Sequence, residues 1–282
     1  MPHPDPSSSS TAERLLTRLR GLGGLVVAFS GGVDSGVVLA GAVRALGPDR
    51  VIAATAVSGS LPAEELEGAG DFAAGLGVRH LTPFTDELAR PGYRANGGDR
   101  CYFCKAELLD VLLPLAAEYD VPHVATGTNA DDLRAGFRPG IRAAQERGAV
   151  RPLADAGLTK GDVRRIGREW SLALWDKPAA ACLSSRIAFG IQITSHRLAR
   201  IEQAERGLRS ALDSAGLHTR DLRVRDLGDI ARVEVDAALS ATLATRPDLL
   251  AEVTGFDRVE LDPVGFRSGA MNELLPDPAR FR

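Results

Sequence analysis

A chain of 282 residues, with 44% hydrophobic and 25% charged residues, is long enough for one large or two modest domains with buried cores. Its 34 basic and 37 acidic residues leave a formal net charge of −3, which argues against a surface that binds nucleic acid throughout. The Pro- and Ser-rich start lacks the features of a signal peptide, and no apolar run approaches the ~20 residues that cross a bilayer. We therefore expect a cytoplasmic protein without a membrane partner, whose three cysteines stay reduced.

Short apolar strands alternate with helices as far as about residue 130. Residues 1–10 are predicted to be a disordered lead, and an amphipathic helix is predicted to begin at Thr11. This alternation is typical of a parallel sheet covered on both faces, so we predict an α/β domain over 11–186 with ligands beyond the carboxyl ends of its strands. The predicted strands are 25–29, 51–57, 78–81 and 123–127, and the predicted helices are 34–46, 62–76, 105–118 and 159–170.

The pattern changes after residue 186. A long helix at 195–215 is followed by two short strands, 222–225 and 231–235, which form a predicted hairpin around Gly228. A helix at 237–250 and a strand at 258–261 come next. Because this order does not continue the strand–helix series, we predict a second, smaller α+β domain over 187–282 that binds substrate or forms an oligomer interface.

The first strand leads directly into the glycine-rich loop Ser30-Gly31-Gly32-Val33-Asp34-Ser35 and then into a helix. Glycines let the backbone approach a ligand closely, and a helix N-terminus presents unpaired N–H groups to an anion. The loop lacks the Gly-Lys-Ser/Thr ending of a Walker A loop, so its phosphate contacts are expected from backbone amides and hydroxyls. Asp34 either stabilises the helix N-terminus or positions a Mg²⁺ ion.

A second loop, over 126–132, follows a later strand and is expected to face the first one. Asp131 and Asp132 in this loop are candidates either for a helix cap or for contact with a metal or a ribose. Lys105 is either a solvated helix residue or a phosphate ligand, and the sequence does not separate the two.

The three cysteines lie in motif-like settings. Cys101 and Cys104 have a spacing that puts two thiols on one side of a turn, and Cys182 lies far downstream. The spacing alone suits a redox pair, structural thiols, a zinc site completed by a histidine, or an iron–sulfur cluster with one open iron position. Cys182 without its context would be a buried apolar residue in most proteins.

The chain resembles the LarE sulfurtransferases of the PP-loop ATP pyrophosphatase superfamily. The resemblance spans nearly the whole chain. It implies an enzyme that serves nickel-pincer nucleotide biosynthesis, and so lactate racemase maturation. Such an enzyme adenylylates the carboxylates of pyridinium-3,5-biscarboxylic acid mononucleotide with ATP and Mg²⁺ and converts them to thiocarboxylates. The segments that carry the resemblance are the loop at 30–35 and the stretches 99–105, 177–187, 231–235 and 265–272.

The family has two sulfur sources. In one branch three cysteines, matching Cys101, Cys104 and Cys182, hold a [4Fe–4S] cluster, and sulfide on its unique iron is the donor. In the other branch a single cysteine, matching Cys182, loses its sulfur and becomes dehydroalanine. All three cysteines are present, which favours the cluster and an external sulfide donor. The family likeness also implies a homo-oligomer, a hexamer built from dimers.

Residue type and position, together with the resemblance for the basic residues, suggest roles for individual residues. The loop residues 30–35 would hold the β and γ phosphates, with Asp131 beside the nucleotide and Asp34 on the metal. Arg186, four residues after Cys182, is expected to accompany the sulfur to the acyl adenylate, because two anions brought together call for arginine. Basic residues that would bind the substrate phosphate are Arg223, Arg225 and Arg267, and weaker candidates for metal or substrate contact are Glu202, Glu205, Glu234 and Asp236.

Three rival functions share parts of this pattern. A tRNA thiolase would use the same loop and cysteines, but it needs a nucleic-acid surface that the charge balance does not favour. An amide synthetase fed with ammonia by a glutaminase would leave the cysteines without a task. A zinc-stapled nucleotide-binding module would have no catalytic activity.

Overall fold

The computed structural model describes residues 6–136, 138–178, 181–267, 271 and 275, without the side chains of 6–10. It divides into two compact units, the first comprising Met1–Glu87 and Cys101–Ala180 and the second comprising Leu88–Arg100 and Ala181–Phe281. The second unit therefore begins slightly before the predicted boundary at 187. It also includes the segment Leu88–Arg100, which we had placed in the first domain.

The first unit is built on a four-stranded parallel sheet. Its strands are β1 (Leu25–Ala28), β2 (Val51–Ala54), β3 (Arg79–Leu81) and β4 (Val124–Ala125), in the order β3-β2-β1-β4. Val26 of β1 is in register with Ile52 of β2 and with Val124 of β4. The predicted α/β fold is confirmed. Because β1 and β4 are parallel neighbours, the loops that follow them lie at the same edge of the sheet.

Strands β1, β2 and β4 are buried on both faces, as is typical of a parallel sheet, whereas the edge strand β3 is only partly buried. Leu25 and Val27 belong to one apolar cluster, and the intervening Val26 and Ala28 belong to another. The first nine helices, in chain order, are α1 (Pro6–Arg20), α2 (Val33–Leu46), α3 (Ala63–Gly75), α4 (Pro91–Arg94), α5 (Arg100–Glu118), α6 (Ala130–Arg134), α7 (Pro139–Glu146), α8 (Pro152–Asp155) and α9 (Lys160–Glu169).

Two of these helices begin a full turn or more before their predicted start. Helix α1 begins at Pro6, so residues 6–10 are helical and not a disordered lead, while residues 1–5 lie outside the described residues. Proline suits a first helical turn because the N–H it lacks would have no partner there. Helix α5 begins at Arg100, which places Cys101 and Cys104 in its first turns.

The second unit has a three-stranded sheet. Strands β5 (Leu222–Asp226) and β6 (Ile230–Val235) form the predicted antiparallel hairpin, and β7 (Arg258–Leu261) pairs with β6 in parallel. The long helix α10 (Ser195–Ser214) is confirmed, but the predicted helix at 237–250 is two helices, α11 (Ala237–Leu243) and α12 (Pro247–Leu250). Arg246 has φ −123° and ψ 65°, because a residue before proline avoids the helical conformation.

Strand β5 presents different chemistry on its two faces. Leu222 and Val224 pack into the apolar core of this unit together with residues of α10. Arg223 and Arg225 alternate with them and are directed to the opposite face, where both are buried. Within the part of the chain that the structure describes, there is no helix long and apolar enough to span a membrane.

Candidate active site

The loop between β1 and α2 is held in a fixed shape by its own serines. Ser35 Oγ lies 3.3 Å from Ser30 N and 3.2 Å from Ser30 Oγ, and it donates to Gly32 O at 3.1 Å. Gly31 has φ +71°, a conformation that glycine adopts without strain. Val33 begins α2 and is buried. The loop is thus shaped in advance around the N-terminus of a 14-residue helix, where an anion is stabilised.

The loop after β4 approaches this helix closely, as predicted. A Cβ atom at Gly127 would lie 2.7 Å from Ser35 N and 3.1 Å from the Asp34 carbonyl carbon. No other residue than glycine fits this contact without displacing one of the two backbones. The two loops therefore face each other at the carboxyl edge of the sheet.

Asp34 is the polar centre between these loops. Its Oδ1 accepts a hydrogen bond from Asn129 Nδ2 at 3.2 Å, and its Oδ2 accepts one from Lys160 Nζ. Asn129 is itself fixed, because its Oδ1 caps α6 by accepting from the backbone N–H of Asp131 and Asp132. Sequence reasoning did not single out Asn129 or Lys160.

The two carboxylates of the second loop serve different contacts. Asp132 completes the capping box of α6 by accepting from Asn129 N at 3.1 Å, which matches the cap interpretation. Asp131 accepts from Lys160 N at 2.8 Å and lies 3.7 Å from Arg134. Asp131 therefore fixes the start of α9, and through it the lysine that reaches Asp34.

A second lysine reaches the glycine-rich loop. Lys177 Nζ donates to Gly31 O at 3.2 Å and pairs with Glu65 Oε2 at 2.7 Å. A Cβ at Gly31 would come within 3.3 Å of the same Glu65 oxygen. Two lysine ammonium groups thus lie at the glycine-rich loop, and neither could be assigned from the sequence because each comes from a distant segment. The only available signal was the Thr159–Asp162 capping box, which puts Lys160 at the start of α9.

The first two cysteines share the beginning of α5. Cys101 is exposed and Cys104 is half-buried. A Cβ at Gly140 would lie 3.3 Å from Cys101 O and 3.7 Å from Lys105 Cβ, so α7 packs directly on this turn. Lys105 is half-buried here, and the phosphate role considered for it remains a prediction.

Cys182 lies at the N-cap of a 3-10 helix, Leu183–Arg186, in the second unit. Its Sγ is 3.0 Å from Ser184 Oγ. Its carbonyl oxygen accepts from Ser185 Oγ at 2.7 Å and from Arg186 Nη1 at 3.1 Å. The backbone around the thiol is therefore held on both sides.

Arg186 is buried and fully engaged. Its guanidinium makes a two-point contact with Glu205, with Nε to Oε1 at 3.0 Å and Nη2 to Oε2 at 3.2 Å, while Nη1 donates to the carbonyls of Ala181 and Cys182. Glu205 also accepts from Val224 N of β5 at 2.9 Å. The structure thus gives Arg186 the task of holding the cysteine loop, and contact with the acyl adenylate remains a prediction.

The two arginines of β5, Arg223 and Arg225, form one cluster with Arg186. Arg225 Nε and Nη2 contact Glu234 Oε2 at 2.9 and 2.6 Å, and Arg225 Nη1 donates to Ser185 O at 3.3 Å. Burial lowers the pKa of the Arg223 guanidinium, and the charges of Arg186 and Arg225 lower it further. The Arg223 guanidinium also lies 5.3 Å from the centre of the Phe266 ring. Crowded, desolvated guanidinium groups of this kind favour the arrival of an anion.

The remaining predicted site residues lie elsewhere. Arg267 is exposed, and Ser268 to Ala270 beyond it lie outside the described residues. Asp236 accepts from Thr219 Oγ1 and from Arg220 N, each at 2.7 Å, and Glu202 lies 4.0 Å from Arg206. Among the residues that the structure describes, no three His, Cys, Asp or Glu side chains are grouped as a metal site.

Comparison with known proteins shows the family to which the chain belongs. Over 264 residues, 93% of each chain, the sequence is 35% identical to the pyridinium-3,5-bisthiocarboxylic acid mononucleotide synthase of Lactiplantibacillus plantarum. The chain belongs to the LarE family. It is accordingly an ATP-dependent sulfurtransferase of the PP-loop ATP pyrophosphatase type.

Two further relatives of this LarE-family chain are uncharacterized proteins. One, from Synechocystis, is 42% identical over 260 residues, which is 89% of this chain and 92% of the relative. The other, from Methanocaldococcus jannaschii, is 31% identical over 175 residues, or 61% and 66% of the two chains. Residues 14–89 also match the model of the NAD synthase family. That match covers β1, the glycine-rich loop and α2, the parts that the sequence predicts to bind ATP phosphates.

Proposed function

We propose that this chain adenylylates the carboxylates of pyridinium-3,5-biscarboxylic acid mononucleotide and converts them to thiocarboxylates for nickel-pincer nucleotide biosynthesis. The product is the compound named in the L. plantarum relative. The observation that carries the proposal is the position of Cys182, whose loop is held by Arg186 and Arg225 inside a cluster of buried guanidinium groups. A cysteine whose loop is held by buried guanidinium groups suits a substrate that carries both carboxylates and a phosphate, because arginine pairs well with such anions.

The first step is activation of the carboxylate. A carboxylate oxygen of the substrate attacks the α-phosphorus of ATP, the bond from that phosphorus to the bridging oxygen breaks, and pyrophosphate leaves. The amides at the start of α2, Ser30 and Ser35 bind the leaving pyrophosphate, and Lys160 and Lys177 neutralise its charge. Asp34 is the carboxylate that fits Mg²⁺, which prefers oxygen ligands and would neutralise phosphate charge when bound.

The second step replaces AMP with sulfur. A sulfur nucleophile attacks the acyl carbon, the acyl–oxygen bond breaks, and AMP leaves with the electron pair. Arg223 and Arg225 bind the substrate phosphate in this proposal, with Arg267 as a further basic contact. Arg186 keeps the Cys182 loop in place while the acyl group is transferred. Holding the reacting groups in one geometry can supply a large part of the rate enhancement.

The three cysteines support a proposal for the sulfur source. We propose that Cys101, Cys104 and Cys182 hold a [4Fe–4S] cluster, which supplies sulfide from its unique iron when bound. Thiolate ligands are the chemistry that such a cluster requires. Among the described residues, no three such ligands are grouped as a metal site. The alternative is that the Cys182 thiolate attacks the acyl carbon, after which loss of the Cα proton breaks the Cβ–Sγ bond and leaves dehydroalanine.

The test is an anaerobic reaction of the full chain, reconstituted with iron and sulfide, with ATP, Mg²⁺ and the biscarboxylic mononucleotide. We expect AMP, pyrophosphate and thiocarboxylate in step, with repeated turnover, bound iron and an unchanged protein mass. Loss of one sulfur from Cys182 after a single turnover supports the sacrificial mechanism instead. A reaction that requires tRNA or ammonia, or a protein that holds zinc without iron and forms no product, overturns the proposal.

The paired variant Cys101→Ser/Cys104→Ser separates the two sulfur sources. With a cluster, this variant keeps pyrophosphate release but forms no thiocarboxylate. With sacrificial transfer, it still gives one thiocarboxylate per chain. We further propose that the protein is cytoplasmic and forms a homo-oligomer, a hexamer built from dimers. Light scattering of the same preparation tests the number of chains in the assembly.

A further inference from the structure

Asn96 is a buried residue in a costly backbone conformation. It lies in the segment Leu88–Arg100 of the second unit, is 0% exposed and has φ +53°. Residues other than glycine rarely adopt this conformation, although asparagine tolerates it better than most. Such a residue persists only where its surroundings hold it firmly, and it often marks a functional constraint.

The side chain of Asn96 binds the chain that follows the cysteine loop. Its Nδ2 donates to Ala188 O and Ile191 O, each at 2.9 Å, and lies 3.3 Å from Ile187 O. The backbone adds a further contact, because Gly190 N donates to Asn96 O at 3.2 Å. One buried amide thus fixes the stretch 187–191 directly.

The oxygen of the same amide leads back to the cysteine. Asn96 Oδ1 accepts from Arg100 Nη1 at 2.7 Å, and the same Nη1 donates to Ser184 O at 3.0 Å. The Ser184 hydroxyl in turn lies 3.0 Å from Cys182 Sγ. Arg100 and Ser184 are both buried, so these contacts are protected from competing water.

We propose that Asn96 is a positioning residue for Cys182. Through Arg100 and Ser184 it holds the backbone on the C-terminal side of the thiol, while Arg186 holds the carbonyls of Ala181 and Cys182. All polar atoms of the Asn96 side-chain amide make these contacts, so none is available to bind substrate. The activity test of this inference rests on the proposed function, whereas its thiol-reactivity test does not.

The central variant is Asn96→Gly. Glycine keeps the left-handed backbone without strain and removes only the amide contacts. The matched control is Asp120→Gly, because Asp120 has φ +52° but is exposed at the end of α5. Asn96→Asp is the second variant, since it keeps an acceptor for Arg100 and loses the donors to the three carbonyls.

The first measurement compares the two half-reactions. Substrate-dependent exchange of pyrophosphate into ATP reports adenylylation, and thiocarboxylate formation reports sulfur transfer. We expect Asn96→Gly to keep exchange within about twofold and to slow thiocarboxylate formation by about 100-fold, the cost of a misplaced reacting group. Asn96→Asp should slow thiocarboxylate formation at least as much as Asn96→Gly, because a carboxylate oxygen would face the carbonyl oxygens of Ala188 and Ile191. Asp120→Gly should match the parent. Equal losses in both half-reactions would mean that Asn96 only supports folding, which overturns the inference.

The second measurement uses the cysteines of the metal-free protein. Iodoacetamide labelling followed by peptide mass spectrometry gives the rate at Cys182 relative to the exposed Cys101 of the same molecule. Freeing the loop should raise this ratio about tenfold, a change of roughly 1.4 kcal/mol in the accessibility of the half-buried thiol. An unchanged ratio in Asn96→Gly overturns the inference. A raised ratio in a chain that makes no thiocarboxylate even as wild type would instead place the error in the proposed function.

Discussion

Gly127 and Ser35 touch through their backbones at the edge of the parallel sheet. A Cβ on Gly127 would lie 2.7 Å from Ser35 N, a distance that real Cβ contacts essentially never show. The contact joins the loop after β4 to the N-terminus of α2, whose amides would bind the phosphates. The shape of the proposed phosphate site therefore depends on a glycine outside the Ser30–Ser35 loop, at a position where a side chain would not fit.

The variant Gly127→Ala should disturb both stability and ATP binding. The added methyl group pushes against backbone on α2, so we expect a loss of about 1–3 kcal/mol in the free energy of unfolding, as for other overpacked sites. ATP binding should weaken further than stability alone explains, because the amides at 31–35 are displaced. Chemical denaturation and calorimetric titration with ATP measure the two effects separately.

The variant Gly68→Ala is the control, and its expected effect on the free energy of unfolding is opposite to that of Gly127→Ala. Gly68 lies in α3, and a Cβ there meets no atom within 4 Å. Alanine should therefore raise the free energy of unfolding by about 0.5–1 kcal/mol, since glycine is the poorer helix former, and leave ATP binding unchanged. Similar behaviour of the two variants would show that the close approach at Gly127 has no consequence.

The ion pair of Asp34 and Lys160 should matter for catalysis far more than for stability. The two side chains are 25% and 39% exposed, and partly exposed pairs contribute only about 0–1 kcal/mol to stability. Lys160→Gln should therefore melt close to the parent protein but slow pyrophosphate release by about 100-fold, because the variant lacks the charge proposed to stabilise the leaving group. Thermal denaturation and a pyrophosphate-release assay give the two numbers.

The exposed pair of Arg134 and Asp131 offers a matched control. These side chains are 75% and 47% exposed and 3.7 Å apart, at the same edge of the sheet. Arg134→Gln should change neither the melting temperature nor the rate of pyrophosphate release. An equal loss of rate in both variants would mean that overall charge, and not contact with Asp34, explains the effect.

Local sequence patterns predicted the elements that carry this site, but not all the residues that complete it. The apolar run and the glycines at 31 and 32 are contiguous, so β1, the loop and α2 are readable from neighbouring residues alone. Lys160 and Lys177 reach the loop through tertiary packing, and no local pattern distinguishes them from solvated lysines. The segment Leu88–Arg100 was misplaced for the same reason, because its grouping with the second unit depends on distant contacts such as those of Asn96.

The burial of the two arginines on β5 is a second feature that local sequence patterns could not predict. Alternation along β5 correctly put Arg223 and Arg225 on one face, but an arginine on a strand is ordinarily read as exposed. Burial of these two side chains depends on partners such as Glu234 and Phe266, which come from later in the chain. Sequence alone could identify Glu205 and Glu234 only as weak candidates for metal or substrate, whereas both are counter-ions of arginines.

Arg186 and Glu205 should stabilise the second unit as a pair. Their side chains are 4% and 13% exposed. Removing one partner of a buried ion pair typically lowers the free energy of unfolding by about 3–5 kcal/mol, because the other charge stays buried without a partner. We expect losses of that size for Glu205→Leu and for Arg186→Met, and a clearly smaller loss for the double variant. Urea denaturation of the four proteins completes the double-mutant cycle.

In the same double-mutant cycle, the rate of thiocarboxylate formation should not recover together with the free energy of unfolding. The double variant regains folding but still lacks the guanidinium that binds the carbonyls of Ala181 and Cys182, so thiocarboxylate formation should stay low. Additive losses of stability in the two single variants would show that the pair is not coupled. Recovery of thiocarboxylate formation with stability would show that Arg186 has only a structural role.

The stability of the first unit should depend on pH through Glu87. Burial raises the pKa of the Glu87 carboxyl above its ordinary value of 4.5, and hydrogen bonds from its own backbone, Thr85 and Ser58 offset only part of this effect. A carboxyl whose pKa is raised by folding stabilises the protein while protonated, and this contribution is lost as the pH rises from about 4.5 through the folded pKa.

Glu87→Gln removes the titration and keeps an acceptor for Thr85 Oγ1, which donates to Glu87 Oε1 at 3.0 Å. We therefore expect the variant to gain stability relative to the parent as the pH increases across that window, measured as the difference in unfolding free energy at a series of pH values. The exposed Glu64→Gln should show no such trend, and a difference for Glu87→Gln that stays constant or falls with pH contradicts the prediction.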